Sequence, residues 1–291
     1  MGSISEQKVA IVTGASSGMG EAITRELVGR GWYVAMADIR PNAALSHDLG
    51  TNATFYETDV ASYDSQAATS SSIFEDRGRI DCLCANAGIS DRSSLYILNH
   101  RGKSSVPPAP DMTCTDINWK GFVYGVQLGV NFMRQNPRAP GGVIVATASI
   151  AAVHPHPSYA EYNGTKAAIL NFVRGSAGVL KVKDNVRLNC VLPGIVPTAI
   201  VPPQFLAAVD QEDLTPLSTI VKAYMRLIEG DETGQGIEAS VDKLLAFSEP
   251  PMLNGQHTKR AVTVWDPLFK VMHGENSGLP DTIAGEDFQL K

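Results

Sequence analysis

Residues 8–20 read Lys-Val-Ala-Ile-Val-Thr-Gly-Ala-Ser-Ser-Gly-Met-Gly, a short apolar run that passes directly into a glycine-rich turn. The β-branched run predicts a buried strand of a parallel sheet, and the residues after the turn have a helical pattern. A strand, a glycine turn and a helix start together favour an anion such as a pyrophosphate, because backbone N–H groups converge there. The glycine spacing is G-x-x-x-G-x-G rather than the commoner G-x-G-x-x-G. The turn alone is a weak signal, and the strand before it strengthens the prediction of a dinucleotide site.

A second strand is predicted at residues 32–38, and it ends in Asp38 about twenty residues after the glycines. A carboxylate at this place accepts hydrogen bonds from the hydroxyls of an adenosine ribose and repels a 2′-phosphate. We therefore predict NAD as the cofactor, with NADP less favoured. Arg40 lies two residues further on and leaves NADP open. The alternative for Asp38 is an ordinary acid in a turn at a strand end.

Strand-like runs continue at residues 55–60, 80–85, 142–148 and 186–192, with a possible last strand at 261–265 and helical patterns between them. This alternation predicts an α/β fold, a Rossmann-type doubly wound parallel sheet of about seven strands with helices on both faces. We predict one domain over residues 1–291. Polar or glycine positions follow or end five of the runs, on the rim where such sheets bind ligands: Gly14, Asp38, Asp59, Asn86 and Ser149.

Tyr162 and Lys166 are four residues apart in a segment that we predict to be helical, so they share one face. A free tyrosine has a pKa of about 10 and is a poor base near neutrality. A fixed cation beside it favours the phenolate and lowers that pKa. Ser149, at the end of the preceding strand, would hold a substrate oxygen against the phenol. The alternative is a common surface pair, and Tyr159 is a rival without a lysine four residues on.

The composition indicates an ordinary globular protein, with 291 residues, 44% apolar and 19% charged. The formal net charge of −6 argues against nucleic acids and anionic membrane surfaces as partners. We recognise neither a membrane span nor a secretory signal, and we expect the cytoplasm. Four cysteines match no metal spacing and are predicted to be buried thiols: Cys82, Cys84, Cys114 and Cys190. His154 and His156 are interpreted as pocket wall or exposed loop, and no metal site is predicted.

Three segments remain outside this pattern. Residues 90–110 are polar and proline-rich and predict an insertion or mobile loop over the ligand rim. Residues 197–235 predict a substrate lid with few charges, which favours a medium-sized, largely apolar substrate. The polar tail from about residue 267 to 291 is expected to be loosely attached.

A helix predicted at residues 112–133 carries Gly121, Gly125 and Gly129, a smooth stripe that allows another helix to approach closely. We predict a homodimer or homotetramer whose interface includes this stripe and the helix that carries Tyr162. The alternative is packing of the stripe within one chain.

Seven motifs or single residues occur in this order between Thr13 and Gly194: Thr13-Gly14-x-x-x-Gly18-x-Gly20, Asp59, Asn86-Ala87-Gly88, Asn118, Ser149, Tyr162-x-x-x-Lys166 and Pro193-Gly194. In this combination the chain resembles the short-chain dehydrogenase/reductase family. The wider pattern is loosely similar to NAD-dependent secondary-alcohol dehydrogenases of the 15-hydroxyprostaglandin dehydrogenase type. The chain departs from the family pattern at residues 90–110 and after residue 253.

The resemblance implies a role for each matching residue. Tyr162 would be the general acid/base, Ser149 would polarise the substrate oxygen, and Asn118 would hold a water in a proton relay. Lys166 would bind the nicotinamide ribose and lower the pKa of Tyr162, and both residues would touch the cofactor. The other implied cofactor contacts run from the pyrophosphate to the carboxamide: Gly14, Ser17, Gly18, Met19, Gly20, Asp38, Ile39, Asp59, Val60, Asn86, Ala87, Gly88, Pro193, Ile195 and Thr198.

The function expected from residues and resemblance together is an NAD(H)-dependent oxidoreductase. It would transfer a hydride between nicotinamide and a secondary alcohol or ketone, with Tyr162 as general acid/base. Two alternatives stay open: an NADPH-dependent ketoreductase of a biosynthetic pathway, and a non-catalytic NAD(H)-binding sensor.

Overall fold

A central sheet of eight strands runs through the part of the chain that the computed structural model describes, residues 7–287 and residue 289. The strands are β1 Val9–Thr13, β2 Tyr33–Asp38, β3 Ala53–Glu57, β4 Cys82–Ala85, β5 Gly142–Thr147, β6 Val186–Pro193, β7 Gly236–Ser240 and β8 Lys243–Ala246. Their order is β3-β2-β1-β4-β5-β6-β7-β8. Strands β1 to β7 are parallel and β8 pairs antiparallel with β7. The predicted α/β fold is confirmed, with one antiparallel strand added at the edge.

Strand β1 lies where the strand order reverses, between β2 and β4. Thr13 at its end is level with Ala37 of β2, and Val12 is level with Cys84 of β4. The segments that follow β1 and β4 leave in opposite directions along the sheet, which opens a crevice at this switch point. The glycine turn after Thr13 and the Asn86 loop after β4 therefore face each other across the crevice.

Ten α-helices accompany the sheet in the described residues: α1 Gly18–Gly29, α2 Ala43–Leu49, α3 Tyr63–Arg77, α4 Thr113–Thr115, α5 Gly121–Met133, α6 Ala160–Asp184, α7 Pro203–Ala207, α8 Leu217–Glu229, α9 Gly255–Val262 and α10 Asp266–His273. Two apolar cores lie on opposite faces of the sheet. One packs α1 and α8 against it and includes Leu27 and Tyr224. The other packs α3, α5 and α6 and includes Ile73, Val126 and Val173. No described helix is long and apolar enough to cross a membrane.

The first turns of the helices are satisfied in different ways. Asn42 caps α2 by accepting the Leu45 N–H at 3.0 Å, and Ser62 caps α3 by accepting the Ser65 N–H at 3.3 Å. Helix α6, which carries Tyr162, begins after Tyr159, whose side chain makes no capping hydrogen bond. Its exposed N–H groups must find partners elsewhere in the chain.

The C-terminal region differs from the prediction. Residues 255–262 form α9, so the strand predicted at 261–265 is wrong. Beyond the helix, an isolated parallel bridge joins Trp265 to Ile283. The tail is also attached, because Asp266 accepts hydrogen bonds from Ser277 and Thr282, and Ser277 is fully buried. The last predicted tail residues, Phe288, Leu290 and Lys291, lie outside the described residues.

The predicted lid contains two different structures. Helix α8 is a core helix, since Ile220, Ala223 and Tyr224 are fully buried against the sheet. The lid prediction is therefore wrong for residues 217–229, where the amphipathic pattern reflects packing on the sheet. The preceding part, up to α7, does border the cleft described below, with Phe205 in its wall.

The glycine stripe of α5 packs inside the chain. A Cβ added at Gly121 would lie 2.9 Å from the Val60 carbonyl oxygen, and one at Gly129 would lie 3.4 Å from Ile144. The stripe thus allows α5 to approach its own neighbours in the fold. It is not available for a subunit interface, and that part of the assembly prediction is wrong.

Candidate active site

A cleft of about 690 Å³ opens at the carboxyl ends of the parallel strands. Of the nineteen catalytic and cofactor-binding residues predicted from the sequence, seventeen line it: Gly14, Ser17, Gly18, Met19, Asp38, Ile39, Asp59, Val60, Asn86, Ala87, Gly88, Ser149, Tyr162, Lys166, Pro193, Ile195 and Thr198. Gly20 and Asn118 stand directly behind the wall. The cleft joins a glycine-rich half to a half that contains Tyr162.

The glycine turn is a cradle that side chains would fill. Gly14 and Gly18 have φ values of +66° and +53°, in the left-handed region that favours glycine. A Cβ at Gly20 would lie 2.0 Å from the Gly14 carbonyl oxygen, so the start of α1 packs directly on the turn. Ser17 makes no side-chain hydrogen bond to the helix that it precedes. An open helix N-terminus beside a close-packed glycine turn fits a pyrophosphate.

Asp38 is held in place by the loop that it borders. Its Oδ2 accepts the Ser16 N–H at 3.0 Å and its Oδ1 accepts the Arg40 N–H at 3.1 Å. The Ser16 hydroxyl in turn donates to the Arg40 carbonyl at 2.6 Å. These bonds fix a negative charge at the end of the cleft next to the glycine turn.

The Asn86 loop is tied to both neighbouring strands. The Asn86 side chain donates to the Thr13 carbonyl at 3.0 Å and accepts from the Thr147 hydroxyl at 3.1 Å. Thr147 is also within 2.6 Å of the Tyr224 hydroxyl, in the core beneath the cleft. No sequence pattern assigned Thr147 and Tyr224 to the site, because only the fold brings them together. Their network holds the cleft floor rigid.

Lys166 is buried, with 3% of its surface exposed, and its Nζ donates to the Thr147 carbonyl at 2.7 Å. Burial lowers the pKa of Lys166 to about 8, because the charged form loses its hydration. The Nζ lies 5.4 Å from the centroid of the Tyr162 ring. The helical pairing of Tyr162 and Lys166 on one face is thus confirmed.

Opposing effects act on the pKa of Tyr162 in the cofactor-free chain. Burial raises the pKa of Tyr162, and a hydrogen bond with Ser149 acts in the opposite direction without cancelling it. Lys166 does not determine the direction of this pKa shift. Its amine donates a hydrogen bond to the Thr147 carbonyl. Desolvation therefore sets the direction of the Tyr162 pKa, and a lowering of that pKa by Lys166 stays a prediction.

Asn118 lies in a π-helical turn, Asp116–Lys120, between α4 and α5. Its side-chain oxygen accepts the Ile89 N–H at 2.9 Å and its amide donates to the Ile89 carbonyl at 2.9 Å. A Cβ at Gly88 would lie 3.1 Å from the Asn118 oxygen and 3.4 Å from the Lys166 Nζ. Asn118 therefore clamps the chain after the Asn86 loop, and its part in a proton relay stays a prediction.

The other half of the cleft is mostly apolar, with Ile150, Ile200, Tyr159 and Phe205 in its wall. His154 and His156 also line it, which agrees with their interpretation as pocket wall. The His156 Nδ1 accepts the Ser158 N–H at 3.2 Å, and its ring lies 5.2 Å from that of Tyr159.

One group of possible metal ligands occurs in the described residues, and it lies outside this half of the cleft: Asp91, Cys114 and Glu161. The Cys114 thiol donates to the Ile89 carbonyl, and burial together with the charges of Glu161 and Asp91 raises its pKa to about 12. Both Asp91 oxygens accept backbone N–H groups. The Asp91 carboxylate is therefore engaged by backbone donors, and a metal ion would have to displace the proton of Cys114.

Replacing Lys166 with Met is expected to change the pH dependence of stability in the cofactor-free protein. A fall in pKa from 10.5 to about 8 corresponds to a cost of about 3 kcal/mol for burying the charge. Below pH 8 both states carry the proton and the folded state bears the full cost. Above pH 8 the folded state loses its proton first, so the cost declines until about pH 10.5.

The Lys166→Met variant does not bear this cost, because it buries no charge. It leaves the Thr147 carbonyl without its hydrogen-bond donor, and this loss offsets about 1–3 kcal/mol of the gain in stability. Urea unfolding at pH 7 and pH 10 measures the difference. The stability of the variant relative to the wild type should fall between these pH values by about 2–3 kcal/mol. A difference that does not change with pH would contradict the buried charge.

A family model for short chain dehydrogenase matches residues 8–207. The short-chain dehydrogenase/reductase prx6 of Penicillium rubens is 50% identical, over 97% of this chain and the full length of that protein. The 15-hydroxyprostaglandin dehydrogenase [NAD(+)] of Rattus norvegicus is 31% identical, over 66% of this chain and 70% of that one.

The fold is also similar to a solved structure, that of a 3-ketoacyl-(acyl-carrier-protein) reductase from Brucella melitensis complexed with NADH. The TM-score is 0.71 and the identity 21%, over 81% of this chain and 98% of the other.

Proposed function

The chain belongs to the short-chain dehydrogenase/reductase family of oxidoreductases acting on hydroxyl groups, and we propose that it uses NAD(H) to interconvert a secondary alcohol and its ketone. The observation that carries the proposal is the convergence of Ser149, Tyr162 and Lys166 in one cleft with a glycine cradle. Neither half alone distinguishes an enzyme from a nucleotide-binding protein. Their junction in one continuous cleft favours catalysis.

The cleft residues fit a nicotinamide dinucleotide. The turn from Gly14 to Gly20 and the start of α1 would hold the pyrophosphate, and Asp38 would accept the adenosine ribose hydroxyls. Lys166 would hold the nicotinamide ribose. When bound, the nicotinamide supplies the acceptor or donor of the hydride.

The protein's own part is positioning and proton transfer. Ser149 and Tyr162 line the same cleft, and Ser149 acts to lower the pKa of Tyr162 against the effect of burial, so the two side chains are close enough to hold one substrate oxygen. Because burial raises the pKa of Tyr162, the chain at neutral pH carries the phenol, the form that donates a proton to a ketone. Oxidation of an alcohol needs the phenolate, so the phenol must first release its proton. The buried ammonium of Lys166, 5.4 Å from the centroid of the Tyr162 ring, would stabilise that charge.

The substrate class follows from the apolar half of the cleft. Ile150, Ile200 and Phe205 offer contact area without charge, while His154 and His156 supply polar atoms in the same wall. We propose a medium-sized, largely apolar secondary alcohol or ketone. An absorbance assay of NADH formation with cyclic, aryl and long-chain secondary alcohols tests it. Oxidation confined to small, charged alcohols would contradict the proposal.

NAD preference rests on Asp38, whose fixed carboxylate would repel a 2′-phosphate. The name of the rat relative, which specifies NAD(+), supports the same cofactor. Fluorescence titration should show NADH binding at least about tenfold more tightly than NADPH. Asp38→Ala should weaken NADH binding by about tenfold and leave NADPH unchanged or tighter, because a charged acceptor is lost.

Arg40→Ala is the matched control, since Arg40 is the cation nearest in sequence to Asp38 and its side chain is exposed. It should leave NADH affinity unchanged. Tighter NADPH binding by the wild type, abolished by Arg40→Ala, would replace this proposal with the NADPH-dependent ketoreductase.

We further propose a homodimer or homotetramer in the cytoplasm, with contacts through the outer faces of α5 and α6. Trp119, in the π-helical turn before α5, and Phe172 of α6 are partly exposed, with their ring centroids 5.8 Å apart. Sedimentation at micromolar concentration tests the assembly, and a monomer would contradict it.

A further inference from the structure

We propose that Asp91 is a positioning residue for the general acid/base, because it holds the first turn of the helix that carries Tyr162. The proposal rests on the proposed function for its meaning in catalysis. Its structural part is independent of any substrate.

Two hydrogen bonds join residues that lie about seventy positions apart in the sequence. The Asp91 carboxylate accepts the Glu161 N–H at 3.0 Å and the Tyr162 N–H at 2.7 Å. These are first-turn donors of α6, which have no partner within the helix. Tyr159 at the N-cap provides none from its side chain. Asp91 is thus a cap supplied from a distant loop, and a carboxylate is favoured at this end of a helix dipole.

Glu161 ties the same turn to a second segment of the chain. Its Oε1 accepts the Thr115 N–H and the Thr115 hydroxyl, each at 2.7 Å. Only 6% of Glu161 is exposed, and its Oε2 has no hydrogen-bond partner. The residue immediately before Tyr162 is therefore fastened to α4, and Tyr162 itself is fastened through its N–H to Asp91.

Asp91 also connects the tyrosine to the cofactor half of the cleft. It lies two residues after Ile89, whose N–H and carbonyl are both held by Asn118. Ile89 and Ser90 line the cleft directly after the Asn86 loop. One short segment of backbone, held by hydrogen bonds, therefore joins the cleft floor to the N–H of Tyr162. This linkage fixes the phenol relative to any dinucleotide in the cleft.

Loss of the Asp91 carboxylate would leave two partly buried N–H groups without acceptors. Water would enter and the first turn of α6 would loosen. A displacement of about 1 Å in a reacting group lowers a rate by as much as about a hundredfold. Asn at this position has one acceptor oxygen and satisfies one of the two N–H groups, so it should give partial rescue.

The test uses Asp91→Ala and Asp91→Asn in the full chain, with Asp266→Ala as matched control. Asp266 also accepts a backbone N–H and hydroxyl groups, but it lies in the C-terminal region away from the cleft. Hydrogen exchange of peptides covering residues 158–166 measures the cap. An alkaline absorbance titration, with the Tyr162→Phe protein subtracted, measures the phenol. Neither readout needs a substrate.

In Asp91→Ala the peptides covering residues 158–166 should exchange faster, while Asp266→Ala leaves them unchanged. The pKa of Tyr162, raised by burial in the wild type, should fall towards its ordinary value because water reaches the phenol. With any ketone that the wild type reduces, kcat should fall by about tenfold to a hundredfold, NADH affinity should change by less than about twofold, and Asp91→Asn should lie between.

Unchanged exchange at 158–166, or an unmoved phenol titration, would overturn the proposal. A normal kcat in a destabilised Asp91→Ala protein would also overturn it, since it would make the cap merely structural. If the wild type turns over no alcohol or ketone, the proposed function fails, and the exchange and titration results still decide the role of Asp91.

Discussion

Replacing Tyr162 with Phe is expected to lower turnover by about a hundredfold to ten-thousandfold, the usual contribution of a general acid/base. The change removes only the hydroxyl that donates or accepts the proton, and it keeps the ring. NADH affinity should therefore stay within about threefold of the wild type, because no other contact is lost. Initial rates at saturating NADH and a separate fluorescence titration measure the two quantities.

Tyr159→Phe is the matched control for this experiment. Its ring is 6.3 Å from that of Tyr162 and also borders the cleft, but it has no lysine four residues on. We expect turnover within about tenfold of the wild type, well above that of the Tyr162 variant. A deeper loss in Tyr159→Phe, or near-normal turnover in Tyr162→Phe, would show that the acid/base is misassigned.

Gly20→Ala should abolish tight NADH binding, with a loss of at least about a hundredfold. The new Cβ would lie 2.0 Å from the Gly14 carbonyl oxygen and 2.7 Å from its carbon, so the backbone of the turn has to move. That movement displaces the N–H groups meant for the pyrophosphate. Circular dichroism establishes that the variant is folded, and NADH titration measures the loss.

Two further glycine variants make this prediction specific. Gly29→Ala lies on the same helix with nothing within 4 Å of the new Cβ, so NADH affinity should be unchanged. Gly18→Ala combines a φ of +53° with a contact to the Thr198 side chain at 3.1 Å, and it should give an intermediate loss even if Gly20→Ala fails to fold. Wild-type affinity in both Gly18→Ala and Gly20→Ala would contradict the glycine cradle.

The parts of the fold that the sequence predicted are those with strong local patterns. The run from Val9 to Thr13 is buried on both faces and leads into the predicted glycine turn, where Gly14 and Gly18 have positive φ values. Tyr162 and Lys166 share a face because the helix period requires it. The cleft brings together most of the predicted site, since the carboxyl ends of parallel strands meet at one edge.

Other features depended on tertiary structure and left no local pattern. Strands β7 and β8 are short, and most of β8 is exposed, so no continuous apolar run marked them. Residues 261–265 have β-branched character, but the preceding turn from Gly255 continues as a helix to Val262. The glycine stripe of α5 has the same appearance whether its partner is a strand of this chain or a second copy.

The pKa shifts of the site residues could not be predicted from the sequence either. Whether Lys166 lowers the pKa of Tyr162 depends on how deeply both groups are buried and on where the amine points. The Lys166 amine donates a hydrogen bond to the Thr147 carbonyl, nineteen residues away in the sequence. Burial then raises the pKa of Tyr162 and lowers that of Lys166. The Asp91 cap joins residues separated by about seventy positions, with no motif linking them.

Transfer of deuterium from NADH, labelled at the reactive nicotinamide carbon, to a panel of cyclic, aryl and long-chain ketones tests the central claim most directly. Mass spectrometry of the alcohols formed by the wild type should find one deuterium on the former carbonyl carbon. The Tyr162→Phe variant should form at least about a hundredfold less of this deuterated alcohol. The contradicting result is tight NADH binding by the wild type with no deuterium in any product. The cleft would then belong to a nucleotide-binding protein rather than to a dehydrogenase.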